Sequence, residues 1–83
     1  MDRVVALYPN PVVDDRLVIN RSGNSELLDV KIFSAHGRLI RSTILEQNIS
    51  EKVLNFSDLA AGVYFIRIAS SEGSVVKKIV LRR

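Results

Sequence analysis

Short runs of alternating apolar and polar residues cover most of this chain. In one of them, Leu28, Val30 and Ile32 would share one face of a strand, and Asp29 and Lys31 would share the other. Such alternation is typical of a half-buried β-strand. We find no sustained i, i+3, i+4 pattern of helical length, so the sequence predicts no helix longer than a single turn.

Turn signals separate these runs at short and fairly even spacing. They are Pro9-Asn10-Pro11, Ser22-Gly23-Asn24, His36-Gly37, Ala61-Gly62 and Ser71-Glu72-Gly73-Ser74. Between them the pattern predicts about seven strands, at residues 4–7, 16–20, 28–32, 38–45, 52–56, 62–68 and 74–81. Because the connections are too short for crossover helices, most strand pairs should be antiparallel.

Two of the predicted strands have informative faces. The fourth should place Ile40 and Ile44 together on one face. The sixth places Tyr64, Ile66 and Ile68 on one face and further apolar residues on the other, which predicts a central strand covered on both sides.

A single flat sheet of about seven strands would leave one apolar face in water, whereas two packed sheets bury it. The predicted fold class is therefore an all-β, Ig-like antiparallel β-sandwich of about seven strands. The immunoglobulin Cys…Trp…Cys pattern is absent, since the chain has no Cys and no Trp, so this prediction concerns architecture alone.

The length of 83 residues fits a single domain, 1–83. Within it, residues 1–11 are expected to form a first strand and a proline-containing connector, and residues 12–83 the sandwich body. Proline cannot donate to a sheet ladder and biases the preceding residue to extended conformations. Pro9 and Pro11 therefore predict an extended or turning connector.

Composition excludes several kinds of chemistry. Without cysteine there can be no disulfide, thiolate zinc site or cysteine nucleophile. The net charge of +3 is spread along the chain until its last residues, which favours a solvated surface over a nucleic-acid-binding one. No stretch approaches the roughly 20 apolar residues of a membrane helix. Nor is the apolar run near Met1 long enough for a signal peptide, so an exported form is expected to come from a longer precursor.

The sequence offers no catalytic, cofactor-binding or metal-binding constellation, and we expect neither an enzyme nor a cofactor. His36 is the only histidine and precedes a glycine, which is typical of a hairpin turn. Asp14-Asp15 is an adjacent carboxylate pair, but no calcium-loop spacing follows it, so loop solvation before a strand is the preferred interpretation.

The segment from Lys77 to Arg83 places four cations around three apolar residues. One interpretation is a last strand whose charged residues block edge aggregation. The other is a handle that a receptor binds. Charge alone favours the first.

Four landmarks in a fixed order carry a family resemblance. They are Tyr8-Pro9-Asn10-Pro11 followed by Leu17-Val18-Ile19, the turn at residues 33–38, the run from Leu59 to Ile68, and Lys77-Lys78-Ile79-Val80-Leu81. From about Tyr8 to Arg83 the chain resembles the C-terminal sorting domain of type IX secretion (Por secretion) cargo from Bacteroidetes bacteria. The order of the landmarks, ending at the terminus, is more specific than any one of them.

The resemblance implies an Ig-like sandwich at the C-terminus of a larger secreted protein, so a fused N-terminal cargo domain is expected to be missing here. It implies a non-catalytic sorting signal that passes from the periplasm across the outer membrane to the cell surface or medium. The implied partners are an outer-membrane translocon, a shuttle protein and a sortase that commonly removes the domain, and neither nucleic acid nor a membrane span is implied.

The residues that match the family motifs are the expected recognition residues. They are Pro9, Asn10, Pro11, Gly37, Leu59, Gly62, Tyr64, Lys77, Lys78, Ile79, Val80, Leu81, Arg82 and Arg83. The two glycines suit turns that need positive φ. Tyr64 can bury its ring while its hydroxyl keeps a partner, and the terminal strand can offer main-chain groups to a partner strand.

One position departs from the family pattern, and two questions stay open. Where the family's hairpin often carries Asp, this chain has Ser34, which can make a similar side-chain bond to the turn. The alternative function is an accessory Ig-like carbohydrate-binding or adhesion module, which would need exposed aromatic residues. A homodimer formed by exchange of residues 4–7 about the Pro9–Pro11 hinge, or by edge pairing, is also predicted as an alternative to a monomer.

Overall fold

Seven strands form the chain, in a computed structural model that describes residues 5–22 and 26–83. The strands are β1 (Val5–Tyr8), β2 (Arg16–Arg21), β3 (Leu28–Ser34), β4 (Leu39–Leu45), β5 (Glu51–Asn55), β6 (Gly62–Ser70) and β7 (Gly73–Leu81). Each lies within two residues of its predicted position. The predicted start of the first strand at Val4 and the turn signal at Gly23-Asn24 lie outside the described residues.

The strands form two sheets, as predicted. One has three strands in the order β1-β2-β5, and the other has four in the order β4-β3-β6-β7. Every strand pair is antiparallel, and a single parallel bridge joins Val12 to Leu81. The architecture is an all-β sandwich, and the described residues form no helix that could cross a membrane.

Alternate residues of each strand fill the space between the sheets. The fully buried side chains include Phe56, Leu17, Ile19, Leu28, Ile32, Leu45, Ile66, Ile68, Ile79, Leu81, Val12 and Val30. Burying one such aliphatic or aromatic side chain stabilises the fold by roughly 1.5–3 kcal/mol before the entropic costs of folding. Because the domain contains no disulfide, this core holds the two sheets together.

A β-bulge changes the predicted face pattern of β4. Ile32 of β3 pairs with Arg41 and the next residue, Phe33, pairs with Leu39, so Ile40 is an extra residue in the ladder. Ile40 still packs against the core, but beyond the bulge Leu45 is buried and Ile44 is 42% exposed. Ile40 and Ile44 therefore do not share one face of β4, and that prediction is wrong.

Strand β6 is central, as predicted, but it is covered on one side only. Its inward residues Tyr64, Ile66 and Ile68 are buried in the core. On the outer face Val63 and Phe65 are half-buried, and no described element packs over them. The prediction that both faces of β6 are covered is therefore wrong. The partial burial of Val63 and Phe65 comes from the neighbouring strands of the same sheet.

Candidate recognition surface

Three connections and the residues after β7 meet at one end of the sandwich, which we call the motif end. It consists of the β1–β2 connector (residues 9–15), the β3–β4 turn (35–38), the β5–β6 loop (56–61) and the residues after β7 (82–83). The strand registers bring them together, because Arg16 pairs with Asn55, Ser34 with Tyr64, and Gly62 with Leu81. The landmark residues 9–11, 35–38 and 59–61 therefore lie together at this end, although they are distant along the chain, whereas those at 17–19, 62–68 and 77–81 lie within strands.

The side-chain amide of Asn10 binds the outer edge of β7. Its Nδ2 donates to the Lys78 carbonyl oxygen at 3.0 Å, and its Oδ1 accepts from the Val80 N–H at 3.1 Å. A carboxamide has the same donor and acceptor as a peptide group, so it can take the place of a paired strand residue here. The flanking Pro9 and Pro11 have no N–H to compete for these groups, and both follow cis peptide bonds.

The main chain of Val12 continues the coverage of β7. Its N–H donates to the Val80 carbonyl at 2.7 Å, and its carbonyl accepts from the Arg82 N–H at 2.8 Å. The Val12 side chain is fully buried. The connector therefore crosses from the three-stranded sheet, where β1 ends, to the edge of the four-stranded sheet.

The two sides of β7 have different roles in the fold. Ile79 and Leu81 are each 1% exposed and belong to the core. Lys77 shares their side of the strand and is partly exposed, whereas Lys78 and Val80 are on the opposite side, with Lys78 exposed. The predicted recognition run is thus half core and half surface, and the two lysines project from opposite faces.

Arg83 is held by the domain itself. Its Nη2 lies 2.6 Å from Asp15 Oδ1 and its Nε lies 3.1 Å from the same oxygen. The guanidinium also donates to the carbonyl oxygens of Phe56, at 2.8 Å, and of Leu59. Asp14 is exposed in the loop before β2, and the side chain of Asp15 is 37% exposed there and also pairs with the Arg83 cation. Arg82 and Arg83 are both exposed at this terminus, and Arg83 is the one that pairs with the domain.

The β5–β6 loop is fixed by Tyr64. Its hydroxyl donates to the Ala60 carbonyl oxygen at 2.5 Å, and its ring packs edge-on against Phe56 with 6.0 Å between centroids. A Tyr at the start of a strand that bonds back to the preceding loop resembles the tyrosine corner of Ig-like sandwiches. Leu59 packs against the core below, and Gly62 begins β6 with φ of 152°. The predicted buried ring and bonded hydroxyl are both present.

The β3–β4 turn needs Gly37, which has φ of 89°, a value that side chains with a Cβ rarely adopt. Ser34 Oγ accepts from the N–H groups of His36 and Arg38, each at 3.2 Å. Serine therefore supplies the side-chain bond expected of it in place of aspartate. His36 is an exposed residue of this turn, as predicted.

A second arginine joins the two sheets at the motif end. Arg41 of β4 makes two bonds to the Asp58 carboxylate, at 2.7 and 2.9 Å, and one to the Asn55 carbonyl at 2.6 Å. The hydrogen bond from Arg41 is the main reason that the pKa of Asp58 lies below its usual value. Asp15 and Asp58 are therefore both paired with arginines, while Asp14, Arg38 and Arg82 are exposed at this end.

Sequence reasoning did not find the role of Val12, the pairing of Asp15 with Arg83, or the Arg41–Asp58 pair. Local pattern carries no signal for partners that are 17 or 68 residues away along the chain. Only the turn signal at Asn10, between two prolines, indicated that this connector is specialised. The described residues contain no cluster of His, Asp or Glu that could hold a metal ion.

Comparison with protein families agrees with this geometry. The family described as "Secretion system C-terminal sorting domain" matches residues 6–82, which include all the landmarks. No curated protein matches the chain. The match covers both sheets and the whole motif end except its last residue, Arg83. The chain therefore belongs to the family of type IX secretion C-terminal sorting domains, which are sorting signals for export to the outer membrane, the cell surface or the medium.

Proposed function

We propose that this domain is a folded, non-catalytic handle that an outer-membrane translocon recognises through the motif end and β7. The observation that carries the proposal is the convergence of the family's landmarks, since Asn10 bonds directly to Lys78 and Val80. Membership of the sorting-domain family supports this export route. A fused N-terminal cargo, a shuttle protein and a surface sortase that removes the domain complete the proposal.

The matching residues divide into three groups by burial under this proposal, and the remaining one, Arg83, is exposed but paired with Asp15. Ile79, Leu81, Leu59 and Tyr64 shape the handle from within, because they are buried or packed against the core. The exposed group, which a partner can touch, consists of Pro9, Asn10, Gly37, Gly62, Lys78 and Arg82. Pro11, Lys77 and Val80 are partly exposed. The whole chain, 1–83, is proposed to act as one unit, with 1–11 as the connector and 12–83 as the body.

The test is a fluorescent reporter, directed to the periplasm and fused before this domain, in a bacterium with an active type IX system. Surface labelling and fractionation locate the reporter. We expect export with the domain and periplasmic retention without it. If the fused reporter stays folded in the periplasm, the proposal is wrong.

Deleting Lys77–Arg83 should also trap the reporter, but that deletion removes two core residues and would unfold the domain. The sharper variant is therefore Lys78→Glu, which changes an exposed side chain and leaves the core intact. Lys52→Glu, on β5, makes the same charge change away from the motif end and serves as its control. We expect weaker export for the first variant only.

No observation favours a carbohydrate-binding module. Of the two tyrosines and three phenylalanines, all of which the structure describes, only Tyr8 is an exposed large aromatic, at 44%. Sugar-binding surfaces generally stack several aromatic faces against the ligand. The homodimer, by exchange of residues 4–7 or by edge pairing, remains a proposal that sedimentation of the isolated domain would test.

A further inference from the structure

The outer edge of β7 is covered along one half and open along the other. Main-chain groups of Lys78, Val80 and Arg82 point away from β6, where Asn10 and Val12 bind them. In an antiparallel strand, successive residues point their N–H and C=O groups alternately to the two sides of the strand. Val76 and Ser74 therefore point these groups away from β6 as well. Among the residues that the structure describes, nothing pairs with the outward groups of Val76.

The open half has the properties of a site for strand addition. Val76 is 59% exposed, although it lies in the interior of a nine-residue strand. Within the part of the chain that the structure describes, the other sheet offers less at its edges, because β1 spans four residues there and Arg41 occupies the Asn55 carbonyl of β5. An unpaired, extended edge of this kind readily accepts a further strand.

Charge indicates which strand would fit. Lys77 and Lys78 project from opposite faces directly beside the open groups, so an added strand would have a cation on each side. The β6 residues that pair with Val76, Lys77 and Lys78 are Arg67, Ile66 and Phe65, and none of them is acidic. A second copy of β7 would bring its own two lysines to the same short ladder, and four cations there disfavour pairing of this edge with itself.

We infer that residues Ser74–Lys78 form a strand-addition site for an extended, acidic segment of a partner protein in the export machinery. Asn10 and Val12 stop the added strand from extending past Lys78, which fixes its register. Carboxylates at neighbouring positions of the added strand would face the two lysines, one on each side of the sheet. This inference rests on the proposed sorting function and specifies where and how the partner binds.

Val76→Pro is the decisive variant. Because the Val76 N–H points away from β6, proline removes no bond of the existing ladder, and edge strands tolerate proline at such positions. It does remove the outward donor and places a ring where the added strand would lie. Val76→Thr retains the N–H and the β-branched shape, so it is the matched control. Circular dichroism and thermal unfolding establish that both variants fold.

The reporter fusion then separates the outcomes. We expect surface reporter to fall about tenfold or more for Val76→Pro, because the partner strand loses hydrogen bonds and meets a steric block, and to stay near wild type for Val76→Thr. Normal export of a folded Val76→Pro domain would overturn the strand-addition site while leaving the sorting function intact. Failure of the unmodified domain to direct export would overturn both.

Photo-crosslinking in the secreting cell gives an independent result. A photoreactive residue at position 76 should crosslink to a partner protein, and mass spectrometry should locate the crosslink in an acidic segment. Position 44, an exposed apolar residue on β4 at the opposite edge of the same sheet, is the control. Equal crosslinking at both positions, or crosslinks confined to basic segments, would contradict the inference.

Discussion

The bond between Asn10 and β7 gives a quantitative prediction. Asn10→Ala removes two hydrogen bonds, one to the Lys78 carbonyl and one from the Val80 N–H. A neutral hydrogen bond contributes about 0.5–1.5 kcal/mol net, and because these two are exposed to solvent we expect a joint loss of about 1–2 kcal/mol. For a domain of this size, each kcal/mol lowers the melting temperature by about 4–8 °C, so the variant should melt about 4–16 °C below the wild type.

Amide hydrogen exchange provides the local readout. In Asn10→Ala the Val80 N–H loses its acceptor and should exchange faster, whereas the Ile79 and Leu81 N–H groups face β6 and should stay protected. Gln47→Ala, in the exposed β4–β5 turn, controls for a generic effect of amide removal. An unchanged melting temperature together with unchanged exchange at Val80 would refute the assigned role of Asn10.

Three further changes test other contacts. Tyr64→Phe removes the bond to Ala60 and should cost about 1–2 kcal/mol in urea unfolding, with no loss of strand signal. Asp58→Asn tests the pair with Arg41. Because folding lowers the pKa of Asp58 below 3.8, the wild type should be more stable than the variant above that pH. This difference in stability should vanish as the pH falls through the lowered pKa. Arg21→Met removes a guanidinium that is 4% exposed and bonds three carbonyls, so unfolding free energy should drop by about 3 kcal/mol or more. Equal stability of any variant and the wild type at neutral pH would contradict the contact it tests.

The strands were predictable because each is a local pattern. Alternation at Leu28, Val30 and Ile32 reports one buried face directly, and the glycines at 37 and 62 mark turns that need positive φ. The wrong face at Ile44 follows from a bulge that shifts the alternation by one residue. The sequence around Ile40 does not indicate the bulge, because a bulge depends on the register with the neighbouring strand.

The site was predictable as a set of landmarks but not as a surface. Family resemblance pointed to Asn10 and to the segment from Lys77 to Arg83 without indicating that they touch. It also could not separate Arg83, which is bound to Asp15, from Arg82, which is exposed. Both distinctions depend on which long-range partner lies within reach, and that is set by the closed sandwich rather than by neighbours in the sequence.

The Asn10–Val80 bond joins residues that are 70 positions apart, and the adjoining main-chain bonds of Val12 to Val80 and Arg82 span 68 and 70 positions. Contacts between such distant residues can form only after nearly the whole domain has been synthesised and the connector has met β7. A chain whose synthesis stops before β7 has no covered edge, no closed core and no Arg83 to bind the connector. The boundary between the covered and open halves of β7 therefore forms only once β7 has been synthesised and packed. A domain that displays this boundary has completed its folding.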